Sequence, residues 1–291
     1  MRQILGASEL VLNSNGSVYH CNVLPENLGD TIFLVGDPNR VPMVSNFFDT
    51  IDFQTQKREI VTHTGMKNGK RVTVISTGMG TDNIDIVLSE LDAAVNIDLV
   101  KKKVKSKHKQ LTFIRLGTSG ALQEDIPVDS FLASTHGLGF DGLVLYYAKS
   151  KPFSDNLFIK TFIKEAHWDK KLPRPYLVEG DAGLIEKAKA LGFHTGITAT
   201  ATGFYGPQGR VLRLGVNDKL MNERLSKFRF DNMRITNFEM ETSAIYGLSK
   251  LMGHRALTIN CIVANRFTGQ FSKDYQKPVR EMIEKVLGAF V

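Results

Sequence analysis

Five short segments carry residue types that could do chemistry. Gly36-Asp37-Pro38-Asn39-Arg40 directly follows the apolar run Thr31–Val35. A glycine lets backbone N–H groups approach an anion, and a guanidinium nearby can grip phosphate with two parallel bonds. The plain alternative is a strand-to-helix turn with Arg40 in solvent. Arg115-Leu116-Gly117-Thr118-Ser119-Gly120 offers hydroxyl and backbone donors beside a fixed charge, again suited to phosphate. Its Gly-Thr-Ser-Gly-Ala core approximates a nucleophile elbow. That motif needs a helix immediately afterwards, and Pro127 leaves room only for a turn. Thr202–Arg210 sets an amide, Gln208, two residues before a guanidinium, Arg210, and beside Phe204 and Tyr205. Such a set can read a planar heterocycle by stacking and hydrogen bonds, or it is a surface turn around Gly206-Pro207. Phe238-Glu239-Met240-Glu241 supplies acceptors for the vicinal hydroxyls of a ribose, or acids that simply favour a helix start. Gly78-Met79-Gly80 lacks the third glycine of a dinucleotide fingerprint and reads as a tight turn lining a site.

These segments sit at the ends of regular elements. Strands are expected at Thr31–Val35, Arg71–Thr77, Leu111–Leu116, Phe131–Thr135, Phe193–Thr200 and Ala256–Ala264. The loop Gly117–Gly120 is expected to follow the third of these. Ile84, Val87, Leu88, Leu91 and Val95 recur at helical spacing, and Glu241–Leu251 and Pro278–Leu287 also read as helices. Alternating strands and helices predict a three-layer α/β fold with a central mixed β-sheet. Ligands in such folds sit beyond the carboxyl ends of strands.

With 42% apolar and 23% charged residues, the chain is not of disordered composition, and its 25 Gly and 9 Pro exclude a linker-dominated one. The net charge of +7 over 291 residues is a mild excess. It suits anionic small ligands better than nucleic acid. The lysine-rich run 101–109 has no interleaved aromatics, so it reads as a solvated insertion before the next strand. Two cysteines, no readable signal peptide and no membrane-length apolar stretch predict a cytoplasmic chain without membrane partners. The seven histidines form no i,i+4 pair and no CxxC accompanies them, so no metal site is expected.

In this order, the motifs GDPNR, RLGTSG and FEMET resemble those of the nucleoside phosphorylase-I family. The resemblance runs from about His20 to the C-terminus. It implies one nucleoside phosphorylase-like domain over residues 1–291, with 1–17 as an N-terminal extension. Purine-type members carry a Ser-Asp pair after the penultimate strand. Here that segment is Cys261-Ile262-Val263-Ala264-Asn265-Arg266, without Asp. Phe204-Tyr205-Gly206-Pro207-Gln208-Gly209-Arg210 resembles instead the uracil-reading segment of the pyrimidine-specific branch. The implied reaction is reversible phosphorolysis of uridine to uracil and ribose 1-phosphate. The alternatives are a purine nucleoside phosphorylase or a nucleosidase of the same family, or outside it a non-enzymatic nucleoside or polyanion binder.

By position, the resemblance gives phosphate to Gly36, Arg40, Arg115 and Thr118, with Arg58 reaching the neighbouring subunit's phosphate. Met240 and Glu241 would hold ribose, together with His20 from the partner subunit. Phe204, Gln208 and Arg210 would hold uracil. Arg115, Gln208 and Arg210 would carry the catalysis. The implied assembly is at least a homodimer, with uridine and phosphate as its substrates. No cofactor is implied. Some family members hold a monovalent cation at an interface. Glu59 matches that site, but Asn83 stands where Ser is usual.

Overall fold

The computed structural model describes residues 4–291. The first three residues of the expected N-terminal extension lie outside the described residues. Nine long strands and three short ones form one sheet. The long ones are β1 (Thr31–Val35), β2 (Thr50–Lys57), β3 (Ile60–Lys67), β4 (Lys70–Ser76), β5 (Thr112–Ala121), β6 (Phe131–Gly139), β7 (His194–Thr200), β8 (Met233–Glu239) and β9 (Arg255–Asn265). Their order is β8-β7-β6-β9-β5-β1-β4-β3-β2. The pairings β4–β1–β5–β9 and β6–β7–β8 are parallel, whereas β9–β6 and β2–β3–β4 are antiparallel, so the sheet is mixed as expected.

Helices cover both faces. α1 (Arg40–Ser45), α2 (Thr81–Asn96), α3 (Ala182–Ala190), α4 (Thr242–Met252) and α5 (Gln276–Phe290) are those that matter to the site. Side chains of β1 alternate between the faces. Ile32 and Leu34 pack with Ile84, Val87, Leu88 and Leu91 of α2 and Ile245 of α4. Phe33 and Val35 pack with Val41 of α1, Leu184 of α3 and Met282 of α5. These side chains are buried, apart from about one-twentieth of Leu184. Full burial of one such side chain is worth about 1.5–3 kcal/mol, which is what welds the three layers.

Two expectations need correction. Gly117–Gly120 is not a loop after a strand: it is the last part of β5. Thr118 and Ser119 pair with Cys261 and Ile262 of β9, and Gly120 pairs with Phe238 of β8. Ladder partners on both sides satisfy a glycine-rich backbone that has little strand preference of its own. Likewise β6 runs on to Gly139, because β7 and the short strand Tyr176–Glu179 flank its second half.

The antiparallel β5–β8 contact closes a ring through β5, β8, β7, β6 and β9. This closure draws RLGTSG and FEMET together. The seat of α4 on the ring is tight. A Cβ at Gly137 of β6 would lie 2.7 Å from the Ser243 Cα and 2.8 Å from its backbone nitrogen. Gly137→Ala is therefore expected to push the start of α4 outward and cost about 1–3 kcal/mol, as overpacking does. Urea unfolding measures the loss, and an unchanged midpoint would contradict this close approach.

Candidate active site

The carboxyl ends of six strands meet around one cleft of about 680 Å³. β1 contributes Gly36 and Asp37, β4 contributes Gly78 and Met79, and β5 contributes Arg115 and Thr118–Gly120. The segment after β7 brings Phe204, Gln208 and Arg210, β8 brings Phe238–Glu241, and β9 brings Val263 and Ala264. Arg40, Glu59 and Asn83 also face it. Nine of the predicted residues thus line one cleft: Gly36, Arg40, Arg115, Thr118, Phe204, Gln208, Arg210, Met240 and Glu241.

Arg115 is 4% exposed, and its Nη2 donates a short bond to Glu241 Oε2. Its Nε lies 3.7 Å from Glu239 Oε2, and Nε and Nη1 make no hydrogen bond among the described residues. Gly36 borders this guanidinium. A Cβ there would meet nothing closer than 3.5 Å, so packing does not demand the glycine. A side chain would instead project into the space beside Arg115. Arg40 opens α1 and donates through Nη1 to Leu116 O at 3.1 Å, so it is not a solvated helix residue. Burial lowers its pKa, and the Arg115 charge lowers it further. Two guanidiniums in one cleft, with unused donors, form a site for an anion.

Glu241 also accepts from the Gly80 backbone N–H at 2.8 Å. Gly80 precedes α2 with φ of 95°, a conformation that favours glycine. One carboxylate thereby ties β5, the start of α2 and the start of α4. Glu239 accepts from Thr200 Oγ1 at 2.7 Å, from the Glu241 N–H at 2.9 Å and from the Thr242 N–H.

Around Gln208 the geometry differs from a surface turn. The residue is 2% exposed. Its Oε1 accepts from Arg210 Nη1 and from Arg266 Nη2, both at 2.7 Å. Arg266 Nη1 also donates to the Gln208 carbonyl, as does Asn222 Nδ2 at 3.1 Å. Two guanidinium donors at one amide atom require the oxygen there, which turns the Nε2 donor the other way. Arg210 stacks on the Phe204 ring at 3.7 Å from its centroid. Burial, then the Arg210 charge, pushes Arg266 down to about 10.

Arg266 and Glu239 brace the site beyond the residues that the motifs assign to it. Glu239 was legible in the FEMET motif. Arg266 became visible only through its contacts with Gln208, 58 residues away.

His20 and Arg58 do not line the cleft of their own chain. Arg58 is exposed at the β2–β3 tip with φ of 55°. The His20 loop is fastened to the same hairpin: Lys57 Nζ donates to Tyr19 O at 2.6 Å, and Asn22 Nδ2 donates to Thr55 Oγ1 at 2.8 Å. The lysine run forms part of a small hairpin pairing Ile97–Asp98 with Lys103–Val104. Lys109 pairs with Asp30 and Lys101 with Asp98, and no residue of the run faces the cleft. Ser119 accepts from Asn237 Nδ2 inside the sheet, and no helix follows it, so the nucleophile elbow is not formed. Among the described residues no group of three or more His, Cys, Asp or Glu could hold a metal ion, and no helix is long and apolar enough to cross a membrane.

Burial raises Glu239 from 4.5 to about 7, assisted by the Glu241 charge and opposed by Arg115. Between those values the native chain holds a proton that the unfolded chain has released. The Glu239 contribution to stability should therefore be greatest below 4.5 and be lost as pH rises to about 7. Glu239→Gln cannot ionise and should flatten this decline. Urea midpoints across the window test it, and an unchanged slope would sink the assignment.

The model of the Phosphorylase superfamily matches residues 30–291. A uridine phosphorylase of Thermococcus kodakarensis is 30% identical over 273 residues, covering 93% of this chain and 86% of that one. A DeoD-type purine nucleoside phosphorylase of Geobacillus stearothermophilus is 27% identical, covering 92% and 96%. Among solved structures, a nucleoside phosphorylase of Trypanosoma brucei, described as showing uridine phosphorylase activity, superposes with a TM-score of 0.84 at 29% identity. That match covers 96% of this chain and 98% of the other. With nearly the whole chain matched and the cleft built at its strand ends, the protein belongs to the phosphorylase superfamily.

Proposed function

We propose that this chain is a uridine phosphorylase, catalysing uridine + phosphate ⇌ uracil + ribose 1-phosphate. The observation that carries the reading is the fixed amide of Gln208, with Arg210 beside it, in the same cleft as Arg40 and Arg115. Phosphate accepts from Arg40, Arg115, Thr118 and the backbone at Gly36, with Arg58 arriving from a neighbouring subunit. Glu241 accepts from the ribose hydroxyls, Met240 packs the sugar, and His20 of the neighbour closes over it. The active unit is then at least a homodimer, which fits two matching residues tied to one hairpin outside their own cleft.

In the reaction, phosphate oxygen bonds to C1′ while the glycosidic bond breaks and its electron pair leaves on uracil. The guanidiniums hold the dianion beneath C1′, replacing a bimolecular encounter by a fixed geometry. Gln208 Nε2 donates to a uracil carbonyl. Arg210 releases Oε1 to the uracil N3–H and turns to the other carbonyl, where negative charge grows as the bond breaks. Such contacts strengthen in the transition state and so raise kcat. Arg266 keeps Oε1 in place throughout.

The relationship to purine nucleoside phosphorylases makes a purine substrate the second reading. By the resemblance, the segment Cys261–Arg266 stands where purine-type members carry a Ser-Asp pair, and it holds Asn265 but no acid. Asn265 Nδ2 donates to the Gln123 and Ile126 carbonyls and its Oδ1 accepts from the Phe267 and Thr268 N–H groups. It is thus spent on its own loop and offers no acid to purine N7.

Uracil release should require phosphate or arsenate, and uridine should exceed inosine in kcat/KM. Turnover without either anion, or equal use of inosine, removes the respective part of the reading. Arg210→Ala should lower kcat/KM for uridine about 10- to 150-fold with little change in phosphate affinity, as for a lost bond to a charged group. Arg115→Ala should weaken phosphate most. For the shared site, mixing Arg58→Ala and Arg115→Ala chains, each impaired in phosphate use, should restore activity, because some sites then hold both intact residues. Verified heterodimers without recovery would argue against sharing.

A further inference from the structure

Glu90 lies in α2, far along the helix from the cleft-lining Asn83, and does not line the cleft. It nevertheless spends its whole carboxylate on the loop that carries His20. Oε1 and Oε2 accept from the His20 backbone N–H at 2.9 and 2.8 Å, and Oε2 accepts from the Cys21 N–H at 2.7 Å. Oε1 also meets His20 Nδ1 at 2.6 Å. The side chains of Glu90 and His20 are 17% and 30% exposed, so the pair is sheltered while part of the imidazole stays open.

We propose that Glu90 is a positioning residue that sets the tautomer of His20, and thereby makes sugar recognition depend on a proton donated by the 5′-hydroxyl. This rests on the reading that His20 serves the partner's ribose. Both Glu90 oxygens face N–H groups, so the carboxylate is purely an acceptor and Nδ1 must carry the hydrogen. In the neutral ring Nε2 is then a bare lone pair. A histidine used in this form accepts and does not donate. It discriminates for a sugar whose 5′ position offers an O–H, and against one that offers only hydrogen or an ether. Lys57 and Asn22 fasten the rest of the loop to β2, and the Tyr19 ring packs edge-on against the imidazole at 4.8 Å between centroids, so Glu90 is the polar contact on the ring itself.

The test measures kcat/KM for uridine and 5′-deoxyuridine in the full-length wild type, His20→Ala, Glu90→Ala and the double variant. The preference for uridine should fall about 3- to 10-fold in His20→Ala, the effect of one neutral hydrogen bond. Glu90→Ala should reproduce that fall through a higher KM for uridine, leave 5′-deoxyuridine unchanged, and add nothing in the double variant. If His20→Ala loses the preference and Glu90→Ala keeps it, the proposal is wrong. An equal loss on both substrates in Glu90→Ala also overturns it, since that marks general damage. If His20→Ala itself keeps the preference, the trans-ribose reading fails first. Independently of any variant's folding, the ¹⁵N shifts of His20 in wild-type protein in mildly alkaline buffer should report Nδ1–H. An Nε2–H signal would overturn the assignment.

Discussion

The buried pair of Arg115 and Glu241 is the contact on which the rest of the cleft depends. Both side chains are about 5% exposed, and the two residues are 126 positions apart in sequence. Removing one partner of such a pair strands a charge in a poorly solvated place, at a cost of about 3–5 kcal/mol. The chain therefore holds β5 against the β8–α4 junction as a condition of folding. Through the Gly80 N–H, the same carboxylate also holds the start of α2. One carboxylate and its donors thus set β5, the β8–α4 junction and the start of α2 against one another.

That arrangement leaves charge deliberately unbalanced. Glu241 takes one face of the Arg115 guanidinium, while Nε and Nη1 stay without a hydrogen bond. Arg40 adds a second, half-buried guanidinium, whose proton affinity is lowered by burial and further by the Arg115 charge. Each unmet donor is unfavourable alone, and an anion with several acceptor oxygens relieves all of them together. The glycine at Gly36 belongs to the same logic, since packing would tolerate a side chain there.

Around Gln208 the problem is direction. A glutamine amide has two faces of opposite polarity, and turning it over would change which base it reads. Arg210 and Arg266 converge on the oxygen, so only one orientation satisfies both. Glu90 does the corresponding work for His20, where a carboxylate decides which ring nitrogen keeps its proton. In both cases a charged neighbour converts an ambiguous side chain into one with a defined donor or acceptor.

The sequence by itself determined the layers and most of the lining. Thr31–Val35 emerges with the bounds its apolar run predicts, and the helical spacing of Ile84–Val95 falls inside α2, because local periodicity reports which face is buried. Gly36, Arg40, Gln208 and Glu241 were legible because their motifs stand in the order of a known family at the ends of strands, although each segment alone could have been a turn or a helix start. The tertiary structure alone decided that Gly117–Gly120 stays in a strand, since its ladder partners come from β9 and β8. It alone brought Arg266 to Gln208 and Glu90 to His20, 58 and 70 residues apart. No local pattern encodes such pairs: ring closure and helix packing create them, and side-chain type announces a charge without naming the partner that will orient it.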